Sequence, residues 1–266
     1  MGIVNVTPDS FAGGGVRVDP LVAVRDAVQM VADGADILDV GGESTRPGAA
    51  PIDDDEEWRR VAPVLEGLCG RVDVPISIDT YRSRIAERAL ALGVTIVNDI
   101  SGFAYDPALA EVVARRRAAV VLMHNRGRSS EMYRFASYRD VAGEVTAELG
   151  ETMQRAEGAG VAREQIVVDP GLGFAKRAEH SLDLCARLDV LASLGRPIMV
   201  GPSRKSFLKA ALGEVPPDAR VWGTAAAVTA AVLMGAHIVR VHDVKEMAQV
   251  VRVADAIRDA RNPLRF

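Results

Sequence analysis

PIMVGPSRKSF, residues 197–207, places a strand, a break and a basic turn within one short stretch. The consecutive apolar residues Ile198, Met199 and Val200 predict a strand buried on both faces. Gly201-Pro202 ends it, and Ser203 stands where a helix N-cap would, with Arg204 and Lys205 in the first helical turn. Cations there oppose the positive end of the helix dipole, where acids ordinarily sit. Exposed N–H groups, two cations and the hydroxyls of Ser203 and Ser206 suit an anion, and equally a solvated basic turn. A phosphate loop of the G-x-x-x-x-G-K-[ST] form is excluded, because no glycine precedes Lys205 in that frame.

Outward from this stretch the same pattern recurs. Upstream, Ile166-Val167-Val168-Asp169 meets Pro170-Gly171-Leu172-Gly173-Phe174; downstream, the run from His237 to Asp243 closes the series. Earlier runs are Gly2 to Val6, Asp36 to Val40, Pro75 to Thr80, Thr95 to Asp99 and Ala119 to His124. Between them lie helical segments. Asp19-Pro20 supplies an N-cap and first residue for a helix carrying Leu21, Val24, Val28 and Val31 until Gly34. Acids from Asp53 to Glu57 open another, in which Pro63 is expected to produce a kink or mark a late start. A helix is predicted from the end of the third run to about Leu92, and another over 141–159, while the Ser-rich stretch 127–139 reads as loop. Asp243 and Glu246 fit a capping box for the last helix, with Met247, Val250, Val251, Ala254 and Ile257 on its apolar side.

About eight strand-helix repeats at this spacing predict a closed parallel (β/α)8 barrel of the α/β class, a fold of about 250 residues. No linker or composition shift divides the 266 residues, so one domain is expected. The alternative, an open doubly wound sheet, would carry a G-x-G-x-x-G turn after its first strand, and none is present.

Composition narrows the partners. A net charge of −4 argues against nucleic acid, while a small anion needs only a local positive pocket. Cys69 and Cys185 lack metal or redox spacing and read as free thiols of a reducing compartment. No apolar run reaches membrane-spanning length, no signal pattern opens the chain, and Val6 rules out myristoylation. A soluble, cytoplasmic protein is predicted, with no membrane partner.

The apolar runs end in polar groups, and in a barrel those carboxyl ends share one face. Singly, each has a structural reading. A strand-end Asp caps the next turn, Asp39 is an interior polar residue satisfied by neighbours, His124 and His237 are core or rim histidines, and His180 is solvated. Together they make a pocket. Asp79, Asn98 and Asp169 suit a flat heterocycle with adjacent N–H donors. Thr45, Arg46, Lys205, Arg240 and His242 suit a phosphate or diphosphate. Asn5 offers a neutral oxygen to Mg²⁺, which takes its remaining ligands from water and phosphate. This chemistry favours displacement of a diphosphate over hydrolysis by a protein nucleophile.

The segments MGIVNVTPDSF, DVGGESTRPGA, SIDTYRS, VNDISG, LMH, DPGLGFAK, SRKSF and RVHDV, in this order, closely resemble the dihydropteroate synthases, bacterial folate-pathway enzymes inhibited by sulfonamides. The resemblance spans essentially the whole chain. It implies a TIM barrel, a homodimer, and transfer of a pterin-methyl group from (7,8-dihydropterin-6-yl)methyl diphosphate to 4-aminobenzoate with Mg²⁺. Carried over by position, Asp79, Asn98, Asp169 and Lys205 hold the pterin, and Asn5, Thr45, Arg240 and His242 the diphosphate, with Asn5 also on Mg²⁺. Phe11, Arg46 and Pro47 come from two covering loops, and Phe174 and Ser206 receive the aminobenzoate. Catalysis is thereby assigned to Lys205, Arg240 and His242. Gly13 stands where the family commonly has a loop carboxylate, and Arg177 and Ser181 where Thr and Asn are common. The family also carries a short segment before its first strand; this chain starts at the strand, so a truncated N-terminus with some loss of stability is expected.

Overall fold

The computed structural model describes residues 1–7, 19–44, 49–128 and 131–261. Strands β1 (Gly2–Asn5), β2 (Leu38–Gly41), β3 (Ile76–Asp79), β4 (Ile96–Asp99), β5 (Ala119–Met123) and β6 (Ile166–Asp169) form a parallel sheet in chain order. Strand β7 (Met199–Val200) pairs in parallel with β8 (Ile238–Val239). Two single bridges complete the circle, Val168 beside Ile198 and Gly2 beside Val241. Val168 N donates to Pro197 O and Ile3 N to Val241 O, each at 3.0 Å. The chain is therefore a TIM barrel and not an open sheet, and closure leaves no unpaired edge.

The surrounding helices are α1 (Pro20–Ala32), α2 (Asp54–Leu68), α3 (Ser83–Ala91), α4 (Ala108–Arg116), α5 (Val141–Gly158), α6 (Ala178–Ala186), α7 (Lys209–Leu212), α8 (Val221–Leu233) and α9 (Val244–Arg261). Their starts reflect local chemistry. Asp19 accepts from Leu21 N at 2.9 Å with Pro20 at the first helical position, and Asp53 accepts from Glu56 N at 2.8 Å. Pro63 does not mark a late start, because α2 starts at Asp54 and runs through it. The buried face of Val61, Val64, Leu65 and Leu68 holds the helix across the missing N–H. Within 127–139, Met132–Phe135 form a 3₁₀ turn that buries Met132. In α9 the inward side is Met247 and Ala254, with Val250 and Val251 partly buried against the core, whereas Ile257 is exposed.

Alternation along the strands divides the apolar residues between two regions. Leu38, Val40, Ile78, Val97, Val120 and Leu122 face outward and pack under Val24, Leu65, Ile85, Val113 and Leu149 of the helices. Ile37, Ile96, Val121, Val167, Met199 and Ile238 form a separate cluster that plugs the lower lumen. Higher along the strands the lumen side becomes polar, through Asp39, Ser77, Asp79 and Asn98. That change from apolar plug to polar floor places the site.

One charged cluster ties α2 to the start of α3. Glu57 is buried, and Arg82 Nη1 donates to its Oε2; the same guanidinium reaches Glu43 at 2.8 Å and Asp54 at 3.3 Å. Burial pushes the Glu57 carboxyl up, against the hydrogen bonds that hold it ionised. Arg82→Ala should therefore destabilise the fold by about 3–5 kcal/mol, because it leaves a buried carboxylate uncompensated. Urea unfolding measures this, and a loss below about 1 kcal/mol would contradict the assignment.

Candidate active site at the carboxyl end of the barrel

Strand register sets the first row of the site. Asn5 lies opposite Gly41, Gly41 opposite Asp79, and Asp79 opposite Asn98, so three polar side chains share one rung. Gly41 leaves space between Asn5 and Asp79; a Cβ there would press on the Asp79 Cβ at 3.3 Å. One row lower, Asp39 lies opposite Ser77.

Arg240, just after β8, reaches across this floor. Its Nε donates to Asp39 Oδ2 at 2.6 Å and its Nη2 to Asp79 Oδ2 at 2.7 Å. Asp39 Oδ2 also accepts from Asn98 Nδ2 at 3.0 Å. The sequence pattern divides the pocket into acceptors and phosphate-binding cations. In the structure the Arg240 cation is anchored to the acceptor floor, since two carboxylates in a low-dielectric lumen require a counter-charge. Burial pushes the Asp79 carboxyl up to about 7, with Arg240 pulling the other way.

Asp169, at the end of β6, accepts from Gly171 N at 2.7 Å. Burial raises its carboxyl, and the charge of Lys205 draws it back. Lys205 Nζ donates to Leu172 O and lies 4.6 Å over the Phe174 ring. Burial lowers the Lys205 ammonium to about 8, opposed by Asp169. Asp169, Phe174 and Lys205 are thus brought together on one side of the barrel mouth.

The basic turn is arranged differently from its sequence reading. Ser203 does not cap a helix. Its Oγ accepts from His242 N at 3.1 Å and lies 2.9 Å from His242 Nδ1, while His242 Nε2 lies 3.5 Å from Asn5 Nδ2. Arg204 takes a left-handed φ of 58° and turns its guanidinium to Asp243 at 2.5 Å and Asp218 at 2.6 Å. That reversal separates the two neighbouring cations. The chain continues into a 3₁₀ turn, Ser206–Leu208, and the one-turn helix α7, with Ser206 exposed. Phe11, Thr45, Arg46 and Pro47, with Gly13, lie outside the described residues.

Beneath the β6 loop lies a group that the sequence reading left unassigned. Lys176, 1% exposed, donates to His124 Nδ1 at 2.8 Å and to Phe174 O at 3.0 Å. His124 Nε2 lies 3.0 Å from Glu148 Oε2. Burial, then the Lys176 charge, lowers His124 to about 4, so a neutral imidazole bridges lysine and glutamate. Gly171, at φ 68°, lets this loop approach, because a Cβ would overlap the His124 carbonyl oxygen. The only hint in the sequence is a lysine directly after Gly-Phe-Ala. His237 holds the start of β7, its Nδ1 accepting from Ile198 N at 3.1 Å. His180 is not simply solvated, for it accepts from Arg177 N at 3.2 Å and packs edge-on against Tyr138 at 5.0 Å. Asp99 points away from Asn98 and closes a turn by accepting from Ser101 N and Phe103 N.

A buried floor of ionisable acceptors around one guanidinium suits a base-like heterocycle, and residues 1–242 match the family of pterin binding enzymes. The chain belongs to the pterin-binding enzyme family. Dihydropteroate synthase of Synechocystis is 46% identical over 97% of this chain and 89% of that protein. The Yersinia pestis dihydropteroate synthase in complex with a sulfonamide drug superposes with a TM-score of 0.92 at 38% identity, covering 97% of this chain and 93% of that one. The Xanthomonas albilineans dihydropteroate synthase with 4-aminobenzoic acid gives 0.90 at 39% identity, over 97% and 92%.

For a pterin-binding enzyme the high Asp79 carboxyl has a consequence. Ring N–H donors placed on Asp79 would stabilise the carboxylate, so that binding below about pH 7 would expel a proton. Pterin affinity should fall by up to about tenfold per pH unit below that point. Asp79→Asn should abolish this limb. Calorimetry in buffers of differing ionisation heat measures the released proton; none released by the unsubstituted protein at pH 6 would contradict the assignment.

Proposed function

We propose that this chain catalyses the dihydropteroate synthase reaction, joining 4-aminobenzoate to (7,8-dihydropterin-6-yl)methyl diphosphate and releasing diphosphate and 7,8-dihydropteroate. The observation that carries this reading is the buried floor of Asp39, Asp79, Asn98 and Arg240 beside the Asp169–Lys205–Phe174 group, with Asn5 and His242 on the rim. Asp79, Asp169 and the Asn98 amide receive the pterin N–H groups, and Lys205 donates to its polar edge. Breaking the CH2–O bond sends the electron pair onto diphosphate. The aniline nitrogen then supplies its lone pair to carbon and loses a proton to solvent, so no strong protein base is needed. Arg240 and His242 stabilise the departing negative charge from positions set in advance by Asp39 and Ser203. Phe174 and Ser206 receive the aminobenzoate, where sulfonamides compete, and the resemblance adds Phe11, Thr45, Arg46 and Pro47 to the substrate contacts.

Asn5 fits the proposed Mg²⁺. Its amide nitrogen is turned to His242, and among the described residues no cluster of three acids, histidines or cysteines competes. A hard cation that draws most of its ligands from water and phosphate needs little more from the protein. When bound, it adds positive charge beside the leaving diphosphate.

A homodimer is proposed on the outer face of α8, VWGTAAAVTAAVL, which is apolar nearly all round and leaves Trp222 80% exposed. Among the described residues no helix is long and apolar enough to cross a membrane. The free thiols Cys69 and Cys185 suit a cytoplasmic location.

With pterin diphosphate, 4-aminobenzoate and Mg²⁺, the unsubstituted protein should release diphosphate and form dihydropteroate. Arg240→Ala should lower turnover by roughly 10²–10³-fold; near-normal turnover would refute the role. Trp222→Glu should shift a dimer toward monomer in sedimentation analysis, and an unchanged association state would refute the α8 contact.

A further inference from the structure

Asp39 is fully buried on β2, yet the resemblance to the family assigns it no role. Its Oδ2 accepts both the Arg240 Nε and the Asn98 Nδ2, at 2.6 and 3.0 Å, while its Oδ1 has no partner among the described residues. A carboxamide has a donor end and an acceptor end, and either can face a ligand. With the Asn98 NH2 committed to Asp39, the carbonyl oxygen remains for the ligand. With Arg240 Nε and Nη2 committed to carboxylates, Nη1 has no hydrogen-bond partner among the described residues.

We propose that Asp39 is a positioning residue that sets the polarity of the site. It makes Asn98 an acceptor, so that the pocket takes a heterocycle presenting an N–H there and rejects one presenting a lone pair, and it holds Arg240 in register for an anion. This rests on the barrel mouth being a pterin site. One oxygen does both tasks, which makes the chemistry of replacement specific. Asp39→Asn keeps an oxygen that can accept both hydrogen bonds, with its NH2 in place of the unpartnered Oδ1. Asp39→Ala removes the acceptor and frees the Asn98 amide to turn. Adding Asn98→Asp to Asp39→Ala restores an acceptor, because a carboxylate has no donor end. Ser77, the register neighbour of Asp39, is also buried, its Oγ without a partner among the described residues, and Ser77→Ala is the control for loss of a polar atom from the lumen.

The experiment measures Kd for the pterin diphosphate by calorimetry, KM for each substrate, and melting temperature for all variants. Asp39→Ala should raise the pterin Kd and KM roughly 10- to 100-fold, with the aminobenzoate KM within about twofold. Asp39→Asn should stay within about threefold of the unsubstituted protein, Ser77→Ala should not move the pterin Kd, and the double variant should recover most of the loss. Equal damage from Asp39→Asn and Asp39→Ala, or no recovery in a folded double variant, would overturn the proposal. If the pattern of Kd values holds while the unsubstituted protein forms no dihydropteroate, the proposed reaction fails and the positioning role stands.

Discussion

Arg240 sits between Asp39 and Asp79 in the upper lumen, and the site is built around that contact. The three residues come from the last, second and third strand segments, with Arg240 and Asp39 201 positions apart along the chain. Desolvating two carboxylates and a guanidinium is costly, and such a group persists only where the geometry lets each charge satisfy the others. Here the balance is narrow, since burial still lifts the Asp79 carboxyl to about 7. In the proposed reaction, an arriving heterocycle with N–H donors would add the hydrogen bonds that the floor is short of. Recognition and charge balance are therefore one event.

The rest of the barrel keeps this floor in place. Below it, the apolar cluster of Ile96, Val121, Val167 and Met199 excludes water from the lower lumen. Beside it, the β6 loop is pinned from beneath by Lys176, whose partners are the Phe174 carbonyl and His124. The loop therefore carries Phe174 on a buried support, and Lys205 lies across that ring. At the rim, Ser203 holds His242 by backbone and ring together. The Phe174 loop and His242 are thus each held by a second group, Lys176 and Ser203, and electrostatic catalysis requires such preorganisation.

Much of this was legible along the chain. Strand runs, the Asp19-Pro20 and Asp53 helix starts, and the concentration of polar residues at strand ends all depend on a few consecutive residues, and the structure contains them. The readings that changed were those where a side chain chose between a near and a distant partner. Ser203 looked like a helix cap from its neighbours, but His242 occupies its hydroxyl. Pro63 allowed a late start of α2, but packing of the α2 face carries the helix through it. For Arg240 the chain gives only the charge, and the structure adds that Asp39 and Asp79 anchor it.

By itself, the sequence determined the repeating strand-helix alternation, the face on which polar groups collect, and the chemical types available there. Periodicity and capping are local properties, written within a turn or a strand. Only the tertiary structure decided which acceptor meets which cation, that Asn98 shows its carbonyl end, and that Lys176 lies buried under the loop. Those outcomes come from barrel closure and strand register, which set distances between residues far apart in the chain, and from a dry lumen in which every charge must find a partner.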